Sequence, residues 1–335
     1  MRVAVFNGPG KPITLEHFEY PQPATDELLV KIGRCGICGS DLALTQEGPF
    51  CYQPGMTLGH EYAGEVVAFG KAVTDVKIGD RVACMPTGGC GQCDVCKEGR
   101  FLMCPSAGRP FGGFGDYVSV PRRAAVLLPR TLSMSDGALV EPMACGLRAL
   151  RMAGLRGGER ILVLGAGSMS LAVIYWARVL GAAQMLVASR SAHRNDILMT
   201  MGATAIQGFD DYTPELLTGQ YGGLPDIVVE CVGKPGMLAK AIEQVRPGGT
   251  VISMGMCMHS EPILGALCTF KEIKMMFPLG YSLSEFEKTA RTFDADHVDP
   301  ALMVSDLISL DSLPTTLEDM RNGLKSLKIH VDPGL

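Results

Sequence analysis

The chain has no long apolar stretch, no basic excess and no low-complexity tract, and each absence argues against a class of function. No uninterrupted apolar run approaches the roughly 18 residues that a membrane-spanning helix needs, so no membrane partner is expected. Lysine and arginine number 30 against 35 aspartates and glutamates, and no basic tail is present to follow a phosphate backbone. Nucleic acid is therefore not an expected partner. The first six residues read as a strand and lack the basic region and apolar core of a secretory leader. The twelve cysteines are accordingly expected as reduced thiols in the cytoplasm, not as disulfides. No internal repeat occurs.

At 335 residues, 47% of them hydrophobic, the chain exceeds the size at which single cores stop growing, and two domains are expected. Up to about residue 140, short apolar runs such as 28–32 and 62–67 are punctuated by Gly, Pro and Asp, the pattern of short strands joined by turns. From about 144 the texture changes. Strand-like runs at 160–164, 184–189, 226–231 and 250–254 alternate with helix-compatible stretches such as 171–180 and 237–245. That alternation predicts a doubly wound parallel sheet. The last fifty residues read as helix plus a closing strand at 327–331.

Two groups of metal-binding side chains stand out. Cys90, Cys93, Cys96 and Cys104 follow C-x2-C-x2-C-x7-C spacing and place four thiolates in one short loop, enough to close a tetrahedron around a structural zinc. Four incidental small residues, or an iron–sulfur cluster whose spacing this resembles in part, are the alternatives. The absence of a second quartet favours zinc. A closed four-sulfur site has no room for substrate, so its role would be to pin a lobe. The second group is scattered: Cys38 in Gly36-Ile-Cys38-Gly-Ser40-Asp41, then Gly59-His60-Glu61, then Val140-Glu141-Pro142. Thiolate, imidazole and carboxylate make three ligands and leave an open fourth position, which catalysis needs. Singly, each of these residues reads as well as an ordinary core residue, and Glu141 as a helix cap.

The stretch Gly165-Ala-Gly167-Ser168-Met169-Ser170 follows a strand-like run and opens a helix-like one, the context of a dinucleotide fingerprint, with Ser170 in place of the third glycine. Amides near Gly167, Ser168 and Met169 would face a pyrophosphate at a helix N-terminus. Enzymes that use NAD place a carboxylate about 20 residues on, to hold the adenosine ribose. Here Ser189 occupies that place, with Arg190 beside it and Arg194 close by. The pattern predicts NADP(H) in preference to NAD(H), through guanidinium contacts to a 2′-phosphate. Two solvated surface arginines and a site that tolerates NAD are the alternative. Cys231, ending the run 226–231, completes the expected cofactor-binding set.

In full, Gly59-His60-Glu61-Tyr-Ala-Gly64-x5-Gly70-x2-Val73 resembles the zinc signature of the zinc-dependent medium-chain alcohol dehydrogenase family. Gly79-Asp80-Arg81-Val82, the four-cysteine loop, Glu141-Pro142 and the glycine turn at 165 follow in that family's order, so the resemblance spans nearly the whole chain. The pattern is most similar to the polyol and sugar (sorbitol) dehydrogenase branch, where a Glu-Pro pair replaces a cysteine ligand. The resemblance implies an α/β fold, with a Rossmann domain at 144–279 and a mainly β, GroES-like catalytic domain made of 1–143 and 280–335. It implies two zincs per chain: a catalytic one held by Cys38, His60 and Glu141, with Glu61 beside it, and a structural one on the four cysteines. Asp41 is then the acceptor that orients His60, and Ser40 the hydroxyl that takes the proton of the alcohol. The family further implies a small-molecule alcohol or carbonyl substrate and a homodimer or homotetramer. Two departures bear on substrate. Ala43 stands where many relatives carry a histidine, and 277–281 reads Phe-Pro-Leu-Gly-Tyr where polyol enzymes often carry an arginine. A polyol, a secondary alcohol, a ketone and an aldehyde all remain candidates. The rival readings are a zinc-free double-bond reductase, which lacks these ligand sets, and a relative that has lost turnover and serves as a cofactor-binding or structural protein.

Overall fold

In the computed structural model, which describes residues 1–108, 112–295 and 298–335, the apolar run after Glu27 becomes the strand Glu27–Gly36. Leu28, Val30 and Ile32 are buried on one face, and on the other Lys31 is exposed while Leu29 is buried. This strand pairs antiparallel with Glu61–Phe69, Tyr117–Pro121 and Lys328–Asp332. Its last residue, Gly36, stands opposite Glu61 on one side and His330 on the other. Arg81–Cys84, Ala125–Leu127 and Val304–Ser309 complete a seven-stranded sheet, and a three-stranded sheet carries Thr14–His17, Arg2–Phe6 and Met56–Thr57. Phe6, Tyr62, Phe114 and Val331 are among the side chains of the core that these strands share.

The chain divides into two compact units, Met1–Glu141 with Tyr281–Leu335, and Pro142–Gly280. The chain passes from the first unit to the second within the helix Met134–Ala153, where Pro142 lacks the N–H that would continue the helical ladder. The second unit is built on six parallel strands in the order Ala205–Gln207, Gln184–Ala188, Arg160–Leu164, Ile227–Glu230, Thr250–Ser253, Lys274–Met276. Ile161, Leu162, Val163 and Leu164 are all fully buried, because a parallel sheet is covered on both faces. The order reverses between Arg160–Leu164 and Ile227–Glu230, and the carboxyl ends of those two strands form the crevice where such sheets take ligands. Trp176, on the following helix Ser168–Val179, is fully buried and donates its indole N–H to the Met143 carbonyl at 2.7 Å. No helix of the described residues is long and apolar enough to cross a membrane.

The alternation of strand and helix therefore reads out as the doubly wound sheet it predicts. The strand Val304–Ser309 was not expected, and its sequence, Val-Ser-Asp-Leu-Ile-Ser, shows why. It lies at the edge of its sheet, is half exposed, and has no apolar alternation to announce it.

Candidate active site

The cysteine loop gathers tightly. Cys90, Cys93, Cys96 and Cys104 flank the helical turns Asp94–Lys97 and Phe101–Met103, and their sulfurs all lie within 4.8 Å of one another. Cys90 Sγ stands 3.9 Å from Cys96 Sγ, and Cys93 Sγ 3.8 Å from Cys104 Sγ. Sulfurs about 2.3 Å from a common ion at the corners of a tetrahedron are about 3.8 Å apart, so the four fit a single zinc and stand too close to enclose a multi-iron cluster. Backbone amides complete the environment of a thiolate. Gln92 and Cys93 donate to Cys90 Sγ at 3.5 and 3.4 Å and lower its thiol to about 6, while Cys90 donates to Cys104 Sγ at 3.3 Å.

The second group forms around His60. Cys38 caps the short helix Gly39–Ala43, and its N–H donates to Asp41 Oδ2 at 2.9 Å. The other oxygen, Asp41 Oδ1, lies 3.3 Å from His60 Nδ1. Ser40 Oγ lies 3.3 Å from His60 Nε2, so the ring is held from both sides. Glu61 opens the strand that follows, and ligand atoms of Cys38, His60 and Glu61 lie within 4.8 Å of one another. Gly36 makes room for this carboxylate, since a Cβ there would stand 2.1 Å from Glu61 Oε2. Both Glu61 oxygens accept from Lys328 Nζ, at 2.7 and 2.6 Å.

Glu141 lies buried in the middle of the helix Met134–Ala153, not at its cap. It stands outside the tight triplet but within its electric field. Burial pushes its carboxyl up to about 7, against the pull of His60 and with the push of Glu61, and the Tyr281 hydroxyl bonds to it. At His60, burial opposes the charged ring, but Asp41 and Cys38 outweigh it and raise the pKa well above the usual range. Buried acidic groups here call for a positive charge between them. A metal cation suits a thiol, an imidazole and carboxylates so arranged, and the donor set fits zinc.

In the second unit, the turn after Arg160–Leu164 is shaped for a close ligand. Gly165 has φ +120°, and a Cβ on it would meet Ser170 Oγ, Val232 and the Cys231 carbonyl within 3.4 Å. Among the described residues, a Cβ at Gly167 would meet nothing within 4 Å, and no side chain caps the amides of Ser168–Val179. Those amides are free to face an anion. Ser170 is fully buried, as the packing role of a third glycine requires. Cys231 follows Ile227–Glu230 across the crevice, its N–H on the Leu164 carbonyl at 2.9 Å and its thiol pushed up by burial. Ser189 is buried at the tip of the second strand and accepts from the Ser191 N–H at 2.9 Å. Arg190 is exposed, its guanidinium 5.7 Å from the centre of the Phe209 ring, and Arg194 donates to the Ala166 carbonyl at 2.9 Å. Both cations therefore stand beside the glycine turn and the strand tip.

Residues 24–130 match the alcohol dehydrogenase GroES-like domain family, and residues 169–295 match the zinc-binding dehydrogenase family. Sorbitol dehydrogenase of Bacillus subtilis (strain 168) is 31% identical over 329 residues, which is 95% of this chain and 93% of that one. The chain belongs to the zinc-dependent medium-chain alcohol dehydrogenase family. The dehydrogenase is likewise 31% identical to L-galactonate-5-dehydrogenase of Escherichia coli (strain K12), over 98% of each chain. It also shares its fold with a solved protein of Sinorhizobium meliloti 1021, described as a zinc-binding dehydrogenase and bound to NADP, at a TM-score of 0.88, 30% identity and 99% of each chain. It is thus an oxidoreductase that acts on CH–OH groups with NAD(P)+ as acceptor.

In this dehydrogenase the structure brings Cys38, Ser40, Asp41, His60 and Glu61 together, with Glu141 near them. Sequence reasoning missed Lys328. A lysine in a closing strand ordinarily reads as solvent-facing, and the only signal was the apolar company on both sides of it, Leu327 and Ile329. Tyr281 does lie in the connection between Lys274–Met276 and the helix Leu283–Ala295, and its role as the hydroxyl partner of Glu141 was not anticipated.

Proposed function

We propose that this dehydrogenase interconverts a secondary alcohol, of the polyol type or simpler, and its ketone, with NADP(H) preferred over NAD(H). Cys38, His60 and Glu141 would hold a catalytic zinc with Glu61 beside them, and Cys90, Cys93, Cys96 and Cys104 a structural one, two zincs per chain. When bound, zinc supplies Lewis acidity towards the substrate oxygen and the nicotinamide supplies the hydride acceptor. The observation that carries the reading is the convergence of Cys38, His60 and Glu61 on one point, with the Ser40 hydroxyl 3.3 Å from the ring nitrogen that faces it. Asp41 holds the imidazole by its other nitrogen. Ser40 takes the proton that leaves the alcohol. With Ala43 lacking a side chain able to pass that proton on, it leaves from Ser40 by another route. Gly165, Gly167, Ser168, Met169 and Cys231 would line the dinucleotide, and Ser189, Arg190 and Arg194 would read its 2′-phosphate.

The names of the relatives favour a polyol or sugar-acid substrate, whereas Ala43 and Phe277 leave simpler alcohols open. Assembly as a homodimer or homotetramer is supported by the strand Lys274–Met276, which among the described residues pairs on one side only and leaves its other edge open. Phe270, 86% exposed, and Phe277 lie near it in the chain. A cytoplasmic setting is supported by the cysteines, none of which is in a disulfide. A panel of polyols, sugar acids, secondary alcohols and ketones, each assayed with NADP(H) and NAD(H), tests the proposal. Turnover of one such pair is expected. Full zinc and cofactor binding without turnover of any would identify a cofactor-binding relative instead.

A further inference from the structure

Lys328 sits where a charge is expensive. Its side chain is 1% exposed, and so is that of Glu61, its partner. The ammonium lies 2.7 and 2.6 Å from the two oxygens of Glu61 and 3.0 Å from the Ile37 carbonyl. An ammonium has three donors, and these three acceptors use them all. Ile37 precedes Cys38, and Glu61 follows His60. One cation therefore ties the turn that carries the thiol to the strand that follows the imidazole. Buried to this degree, with all three donors used, Lys328 acts through its neighbours.

Glu61 is the consequence. Its carboxylate is within 4.8 Å of the ligand atoms of Cys38 and His60, close enough to share a metal with them, yet both its oxygens are committed to Lys328. The carboxylate occupies space that any side chain at Gly36 would fill. We propose that Lys328 is a positioning residue which restrains Glu61 from becoming a full metal ligand, and so keeps one position on the metal open for the substrate oxygen. The inference rests on Cys38 and His60 being metal ligands, as proposed above. Without Lys328, Glu61 is a buried carboxylate with no counter-charge, and the nearest cation left to it is the metal.

The test is Lys328→Met in the zinc-loaded enzyme, with transfer of zinc to an excess of dipicolinate followed as a rate. Release from the catalytic site is expected to slow by about tenfold or more, the scale on which groups behind metal ligands act. kcat should fall while the zinc content stays at the wild-type value. Lys328→Arg, which keeps the charge, should release zinc at nearly the wild-type rate. The neutral pair Glu61→Gln with Lys328→Met covers the case in which the single variant does not fold. Because Glu61 is no ligand in the resting protein, the double variant is expected to release zinc within about threefold of wild type, well inside that scale. A folded Lys328→Met that releases zinc as fast as wild type overturns the proposal, and so does a double variant that releases it about tenfold faster. Failure of the ligand reading itself looks different: Cys38→Ser would then keep its full zinc content.

Discussion

Glu141 and Arg190 carry the most exposed claims at the scale of single residues. Glu141→Gln keeps shape and removes a negative charge from the metal site, so kcat/KM is expected to fall on the order of a hundredfold, with a circular dichroism spectrum like that of wild type. Normal zinc content and rate in that variant would remove Glu141 from the ligand set and leave Glu61 as the carboxylate to examine. In the proposed cofactor reading, Ser189 at the tip of the second Rossmann strand leaves out the carboxylate that would repel a 2′-phosphate, and Arg190 would add attraction. Each charge-assisted contact contributes about 1.5–3 kcal/mol, so NADP(H) is expected to exceed NAD(H) by about tenfold to a thousandfold in kcat/KM. Ser189→Asp with Arg190→Leu should reverse much of that preference. Equal kcat/KM for the two cofactors in the unmodified enzyme would show that this strand end does not read the phosphate. Cys38, His60 and the Gly165 turn were legible because their chemistry demands particular residue types at particular spacings. Lys328 was not, since its meaning comes from a pairing across 267 positions of chain.

Elements carry the next claims. The cysteine loop has few apolar residues of its own, Val95, Phe101, Leu102 and Met103, and a metal would supply what its core lacks. Cys93→Ser is expected to lower Tm by several degrees, at about 2–4 °C per kcal/mol for a unit of this size, with activity surviving at low temperature. Abolished turnover with unchanged Tm would mean that the two metal sites have been assigned the wrong way round. The closing strand Lys328–Asp332 makes a pH-dependent contribution. Burial, with Lys328 and Arg34 nearby, pushes His330 down to about 3, so the folded chain keeps it neutral where the unfolded chain, near 6.5, protonates it. Its contribution is complete above 6.5 and is lost as pH falls towards 3, at about 1.4 kcal/mol per unit. In denaturant unfolding with zinc present, the loss of stability between pH 7 and pH 5.5 should be smaller in His330→Gln than in wild type by about 1.4 kcal/mol. An equal loss in both proteins would show that His330 does not titrate this way. This strand was expected from its apolar run, whereas its neighbour Val304–Ser309, half exposed at the sheet edge, had no pattern to reveal it.

For the whole molecule, the change in texture near residue 144 gave away the parallel sheet, because strands buried on both faces and glycine turns at their ends leave a strong periodic record. The long-range arrangement of the first unit was harder to read. Its central strand Glu27–Gly36 takes partners from residues 61–69, 117–121 and 328–332, and local pattern does not encode those pairings. The two proposed metal sites share no ligand and would differ in chemistry, one a closed set of four sulfurs and the other a mixed, open set. Zinc per chain in wild type and in Cys38→Ser, measured by elemental analysis on protein purified without chelator, tests the account most directly. About two zincs in wild type and about one in a folded, inactive Cys38→Ser are the predicted results. One zinc in fully active wild type, or two in Cys38→Ser, would contradict it.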